Sequence, residues 1–143
     1  MPFANPDPSA LQALLRQART IAVVGLSDNP QRPSHEVASR LLDYGYRIIP
    51  VTPALTHWQG IQAVPALDRL ADVLAPGDRV DIVDVFRQPQ HVAGIVDDCI
   101  RLGLPALWLQ LGVIDPIAAQ RAVAAGMTVV MDKCLLVERM RLP

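Results

Sequence analysis

The stretch Ile21-Ala-Val-Val-Gly-Leu-Ser-Asp-Asn-Pro-Gln-Arg-Pro-Ser34 decides how the chain is read. Ile21 to Val24 is a continuous aliphatic run with no polar face, as expected of a strand covered on both sides. Gly25 follows at once. From Ser34 to Tyr44 the apolar residues Val37, Ala38, Leu41 and Leu42 recur at helical spacing, and Gly45 stands where a left-handed residue ends a helix. Strand, glycine-led loop and helix form the opening of a βαβ unit. The loop occupies the place of a phosphate-binding turn, yet it holds one glycine, two prolines and an arginine.

The rest of the chain repeats that alternation. Ser9 to Ala18 reads as a short leading helix, with Leu11, Leu14 and Leu15 on one face and Ser9 as N-cap. Tyr46 to Val51 is a second strand, in which Pro50 is expected to end the pairing near Ile49 because proline cannot donate to a ladder. Residues 52–65 read as a connection and 66–74 as a short helix. Val80 to Phe86 is a third strand, followed by a helix over 90–102 closed by Gly103. Ala106 to Leu109 is a fourth strand, 116–125 a helix with Pro116 near its first position, and Met127 to Met131 a fifth strand. Five alternations in one domain spanning 1–143 predict an α/β, three-layer, doubly wound Rossmann-like fold with a mainly parallel five-stranded sheet. In that architecture ligands bind at the carboxyl ends of the strands.

Composition narrows the function. The chain has 143 residues, 51% hydrophobic but only 4% aromatic, so its core is built of Leu, Val, Ile and Ala. Thirteen basic residues face 14 acidic ones, which argues against a duplex nucleic-acid binder. No apolar run reaches the 18 or so residues of a membrane helix, and the N-terminus shows no signal-peptide pattern. Two distant cysteines, Cys99 and Cys134, lack metal-ligand spacing, and a reducing, cytoplasmic setting is the default expectation.

The strand tips carry the chemistry. A strand-to-helix loop offers backbone N–H groups and the positive end of a helix dipole to an anion. Ser27 and Ser34 add hydroxyls, Arg32 a planar charge suited to phosphate, and Pro30 and Pro33 stiffness. Against this stands the plain reading that one glycine after a strand is common. NAD sites place a carboxylate at the end of the second strand for the ribose, and Val51-Thr-Pro-Ala54 has none, which disfavours an NAD(P)-dependent oxidoreductase. At the third tip, Phe86 and Arg87 suit a purine and a phosphate, or else Phe86 plugs the core edge and Arg87 is solvated.

Taken together, "IAVVGLSDNPQRPSHEVASRLLDYGYRIIPVTP", "VDIVDVFRQPQ", "LWLQLGV" and "MDKC" resemble the small stand-alone CoA-binding proteins of bacteria. These are similar to the N-terminal CoA-binding domain of the succinyl-CoA synthetase α-subunit. The resemblance spans about residues 10 to 140, and four motifs in order are more specific than any one. It implies a domain that binds coenzyme A or acyl-CoA without catalysis of its own. It also implies that Gly25, Leu26, Ser27 and Asp28 form the first phosphate-facing turn, with Arg32, Pro33 and Ser34 at the start of the helix. Pro53 matches a proline after the second strand, Val85, Phe86 and Arg87 match the "VFR" tip, and Gln110 matches a polar residue near the thiol arm. Many relatives have Lys or Arg directly after the proline. Ala54 and Leu55 stand here, which removes a phosphate contact unless Arg32 or Arg87 supplies it. The uncharged pantetheine arm is expected over Leu109, Leu111 and Gly112.

Other reactive side chains form no set. His35, His57 and His91 have no partners in register, and Asp81 and Asp84 are assigned no catalytic part. Cys134 is either a small hydrophobe or a thiol near that of the cofactor, open to a mixed disulfide under oxidation. No Ser–His–Asp, Cys–His or metal set assembles by spacing. A role as accessory subunit of an acyl-CoA ligase would require partner subunits, because the ligases use domains for which this chain is too short.

Overall fold

The computed structural model describes residues 2–143. Five parallel strands, β1 (Thr20–Val24), β2 (Arg47–Val51), β5 (Ile82–Val85), β6 (Ala106–Leu109) and β7 (Thr128–Val130), form one sheet in the order β2-β1-β5-β6-β7. The chain leaves β1 toward β2 and then returns past β1 to β5. The winding therefore reverses between β1 and β5, the place in such folds where a ligand crevice lies beyond the carboxyl ends of the strands.

Two apolar layers cover the sheet because side chains alternate along each strand. Ala22, Val24, Val83, Val85, Leu107 and Leu109 face α3 (Val92–Leu102) and α4 (Pro116–Ala124). Ile21, Val23, Ile82 and Trp108 face α1 (Pro8–Gln17), α2 (Pro33–Asp43) and α5 (Leu135–Met140). The three-layer, doubly wound expectation holds.

Local details differ from the sequence reading in instructive ways. Helix α1 starts one residue earlier than expected and is capped by Asp7, whose carboxylate accepts the N–H of Ala10 at 2.9 Å. The hydroxyl of Ser9 donates to the same carboxylate, so Ser9 is not the cap. Pro50 does not end the pairing: it stands opposite Val23, and β2 continues to Val51. Its carbonyl accepts from Val64 on the outer side, so the missing N–H lies on the sheet edge, where proline costs no ladder bond. The connection after β2 holds a hairpin, β3 (His57–Trp58) and β4 (Ile61–Gln62), and the short helix is a 3₁₀ segment over Leu67–Asp72. The six-residue α5 was not read from the sequence; a stretch that short carries too few apolar repeats to show a period.

Candidate functional site

A cleft of about 720 Å³ opens along the carboxyl ends of β1, β5 and β6, at the reversal point. Its volume is within the range of small-molecule sites. Gly25, Leu26, Ser27, Asp28, Arg32, Pro33, Ser34, Phe86, Arg87 and Gln110, all singled out from the sequence, line it.

The loop after β1 is held by its own polar groups. Gly25 donates to the carbonyl of Val51 at 2.9 Å and adopts φ +84°, a left-handed conformation. A Cβ there would sit 2.8 Å from the carbonyl oxygen of Phe86 and 2.9 Å from Cδ of Arg87. Glycine thus lets the β1 and β5 loops touch. Ser27 Oγ accepts the N–H of Asn29 at 3.0 Å, and Ser34 Oγ accepts the N–H of Ser27 at 3.0 Å. The two hydroxyl oxygens, expected as ligand donors, first serve to shape the loop. Beneath it the buried Trp58 donates its indole N–H to the carbonyl of Ser27 at 3.1 Å. His35 packs against that indole in a T-shaped arrangement, with ring centroids 5.5 Å apart.

What the loop leaves free is of equal interest. The backbone N–H groups of Leu26, Asp28 and Ser34 meet no protein acceptor among the described residues. Helix α2 has Arg32 at its N-cap and no side-chain cap, whereas α1 and α4 are capped by Asp7 and Asp115. The His35 N–H is taken by the carbonyl of Arg32 at 3.1 Å, but no side chain among the described residues caps the helix, so its positive end faces the cleft with the Ser34 N–H free. Arg32 and Arg87 line the same cleft and among the described residues neither is paired with a carboxylate, while ion pairs engage Arg47, Arg69, Arg79, Arg101, Arg121 and Arg141. Arg87 reaches only Nε2 of His91, at 3.1 Å.

The other end of the cleft is apolar. Leu111, Gly112, Val113 and Cys134 line it, and Leu111 is 66% exposed. The segment bearing Cys134 is tied to the tip of β6. Trp108 Nε1 donates to the carbonyl of Lys133 at 2.8 Å, and Gly112 N–H donates to Asp132 at 2.9 Å. Between the two ends, Gln110 is buried and its Nε2 donates to Asp84 at 2.7 Å. Asp84 is fully enclosed, and burial raises its carboxyl to about 7 despite the bond from Gln110.

Two of the sequence-derived residues lie elsewhere. The side chain of Val85 is fully buried on the α3–α4 face, one residue out of phase with the cleft, so only Phe86 and Arg87 of that tip reach it. Pro53 is exposed and lines a separate groove behind Arg87, together with Pro65 and His91. Ala54 and Leu55 do line the cleft, with Thr52 beside them. Thr52, Val37 and Val113 were missed, and so was Trp58 as a support of the loop. No local signal marks Trp58, whereas the Ser27–Asn29 spacing is a turn signal that could have shown the loop to be self-bonded. Leu109 is fully buried and lies beneath the cleft rather than on its wall. Of the two thiols, Cys99 is buried and pushed up to about 12, mainly by burial. Among the described residues no cluster of acidic, histidine or cysteine side chains could hold a metal ion, and no helix is long and apolar enough to cross a membrane.

The chain matches the family described as "CoA binding domain" over residues 19–140. It is 36% identical over 133 residues to the uncharacterized protein YneT of Bacillus subtilis (strain 168), a match covering 93% of this chain and 94% of YneT. A solved structure from Thermus thermophilus, cell-free ID.343, is similar at a TM-score of 0.84 and 38% identity, over 95% of this chain and 98% of that one. The dinucleotide forming acetyl-coenzyme A synthetase 1 of Ca. Korarchaeum cryptofilum is similar at a TM-score of 0.64 and 25% identity, over 81% of this chain but only 27% of the synthetase. With the whole array from β1 to α5 inside the matched span, the chain belongs to the CoA binding domain family.

Proposed function

We propose that the cleft binds coenzyme A or an acyl-CoA, and that the chain acts as a binding module without chemistry of its own. One observation carries this reading: the cleft is polar and cationic at one end and apolar at the other. Coenzyme A has the same asymmetry. Its pyrophosphate and 3′-phosphate call for several donors, which Arg32, Arg87 and the free N–H groups of Leu26, Asp28 and Ser34 can provide. Its uncharged pantetheine arm calls for an apolar trough, which Leu111, Gly112 and Val113 provide. Phe86 lines the cleft next to Arg87, with a ring suited to a purine. Asp28 is a carboxylate and would repel a phosphate, so it suits a hydroxyl or amine of the nucleoside instead. Two free cysteines fit a reducing cytoplasmic setting.

Isothermal titration with CoA, 3′-dephospho-CoA and NADH tests the reading. CoA is expected to bind, 3′-dephospho-CoA to bind more weakly, and NADH to give no heat. Absence of binding by CoA to the folded protein would refute it. A second reading, an accessory part of an acyl-CoA ligase, draws on the similarity to a quarter of the acetyl-coenzyme A synthetase. It requires partner chains, and affinity capture that recovers this chain alone speaks against it.

A further inference from the structure

Asp84 is an unusual residue for the place it occupies. It sits in the middle of the central strand, 0% exposed, with Val23 of β1 and Trp108 of β6 on either side. On that face α1, α2 and α5 contribute Leu15, Val37, Leu41 and Leu135. The titratable and charged groups of the layer are Cys134 at the cleft rim, Tyr46 near the far end with Arg139 of α5 over its ring, and His35 of α2 at Trp58, and no charged side chain acts on Asp84. A carboxyl in such surroundings is costly unless each of its oxygens is used. Here Oδ1 accepts from Gln110 while Oδ2 is buried without a partner among the described residues. Gln110 is in the complementary condition. Its side chain is 4% exposed and lines the cleft, its Nε2 is spent on Asp84, and Oε1 meets no protein donor among the described residues.

We infer that Asp84 and Gln110 form a reversible donor–acceptor element under the cleft, which presents the Gln110 carbonyl to a ligand that donates a hydrogen bond and the Gln110 amide N–H to a ligand that accepts one, with Asp84 taking a proton from water in the second case. The inference rests on the reading of the cleft as a CoA site. In the arrangement seen, Nε2 points to Asp84 and the carbonyl is left for an amide N–H or thiol of the ligand. In the other, the Gln110 amide turns over about its terminal torsion, which is broad and roughly two-fold. A protonated Asp84 then donates to Gln110 Oε1, and the amide N–H meets a thioester carbonyl. Each arrangement keeps one hydrogen bond inside the pair, so the ligand's own group tips the balance. Because the carboxyl titrates near neutrality through burial, both states are accessible there.

The linkage has a definite sign. Above the titration point of Asp84, binding a thioester requires uptake of a proton. Acetyl-CoA affinity is therefore expected to fall by up to roughly tenfold per pH unit as pH rises beyond neutrality, while CoA affinity stays level. Titrating both ligands between roughly pH 6 and 8 measures this. Repeating the acetyl-CoA titration in two buffers of different ionisation heat counts the protons taken up, and needs no variant. Asp84→Asn, nearly isosteric, is expected to lose the pH slope for acetyl-CoA. Parallel pH profiles for the two ligands, no proton uptake, or a slope that survives in Asp84→Asn would overturn the inference and leave the cleft reading standing. Failure of both ligands to bind at any pH refutes the cleft reading, and this inference with it.

Discussion

Replacing Gly25 by alanine separates two costs that glycine avoids. The first is conformational: at φ +84° a residue with a Cβ is disfavoured by roughly 1–2 kcal/mol. The second is steric. The new methyl would lie 2.8 Å from the Phe86 carbonyl oxygen, 3.2 Å from its carbon and 2.9 Å from Cδ of Arg87. The arginine arm can swing away. The Phe86 backbone cannot do so freely, because its N–H is held by the carbonyl of Val24 at 2.9 Å. Overpacking of this kind adds roughly 1–3 kcal/mol, so the variant should lose roughly 2–5 kcal/mol in all. Gly77 is the control. It has φ +89° but nothing within 4 Å of its Cβ position, so Gly77→Ala should show the conformational cost alone. Urea unfolding followed by the fluorescence of the buried Trp58 and Trp108 measures both variants. Thermal midpoints should drop by roughly 2–4 °C per kcal/mol for a chain near this size. Equal losses in the two variants would refute the claim that Gly25 is needed for the contact between the β1 and β5 loops.

Arg32→Ala and Arg87→Ala are each expected to weaken CoA binding by roughly tenfold to a hundredfold, the value of one charge-assisted hydrogen bond of about 1.5–3 kcal/mol. Each should also flatten the salt dependence of the affinity in calorimetric titration. For stability, burial raises the Asp84 carboxyl in the folded state from its ordinary 3.8 to about 7, so its contribution is fully present below the lower value and is lost as pH rises through the upper one. The unfolding free energy of the wild type relative to Asp84→Asn should therefore decline across that window and level off above it, as measured by urea titration at a series of pH values. Alkylation with iodoacetamide at mildly alkaline pH should modify Cys134 in the cleft and leave Cys99 intact, and mass spectrometry of the digest reads this. Saturating CoA should slow the modification of Cys134.

Much of the fold was legible because it depends on local pattern. Continuous aliphatic runs such as Ile21–Val24 and short helices closed by Gly45, Gly103 and Gly126 repeat often enough to imply parallel strands with helical crossovers. The loop residues 25–34 and the tip at Phe86-Arg87 were legible for the same reason: they follow strands, and strand ends are where such folds hold ligands.

The remainder needed three dimensions. Pro50 sits in a strand because β2 lies at the sheet edge, and strand order is not encoded in any local period. Val85 points away from the cleft and Phe86 toward it, a matter of one residue in the alternation. Pro53 falls behind Arg87, in a second groove, because the chain turns at Pro53 and Ala54 as it leaves β2. The bond between Asp84 and Gln110 and the support of Ser27 by Trp58 join residues 26 and 31 positions apart. Periodicity along the chain reports which face of an element is apolar. It carries no information about which distant side chain will meet a buried polar atom, and that choice is made only when the strands are laid side by side.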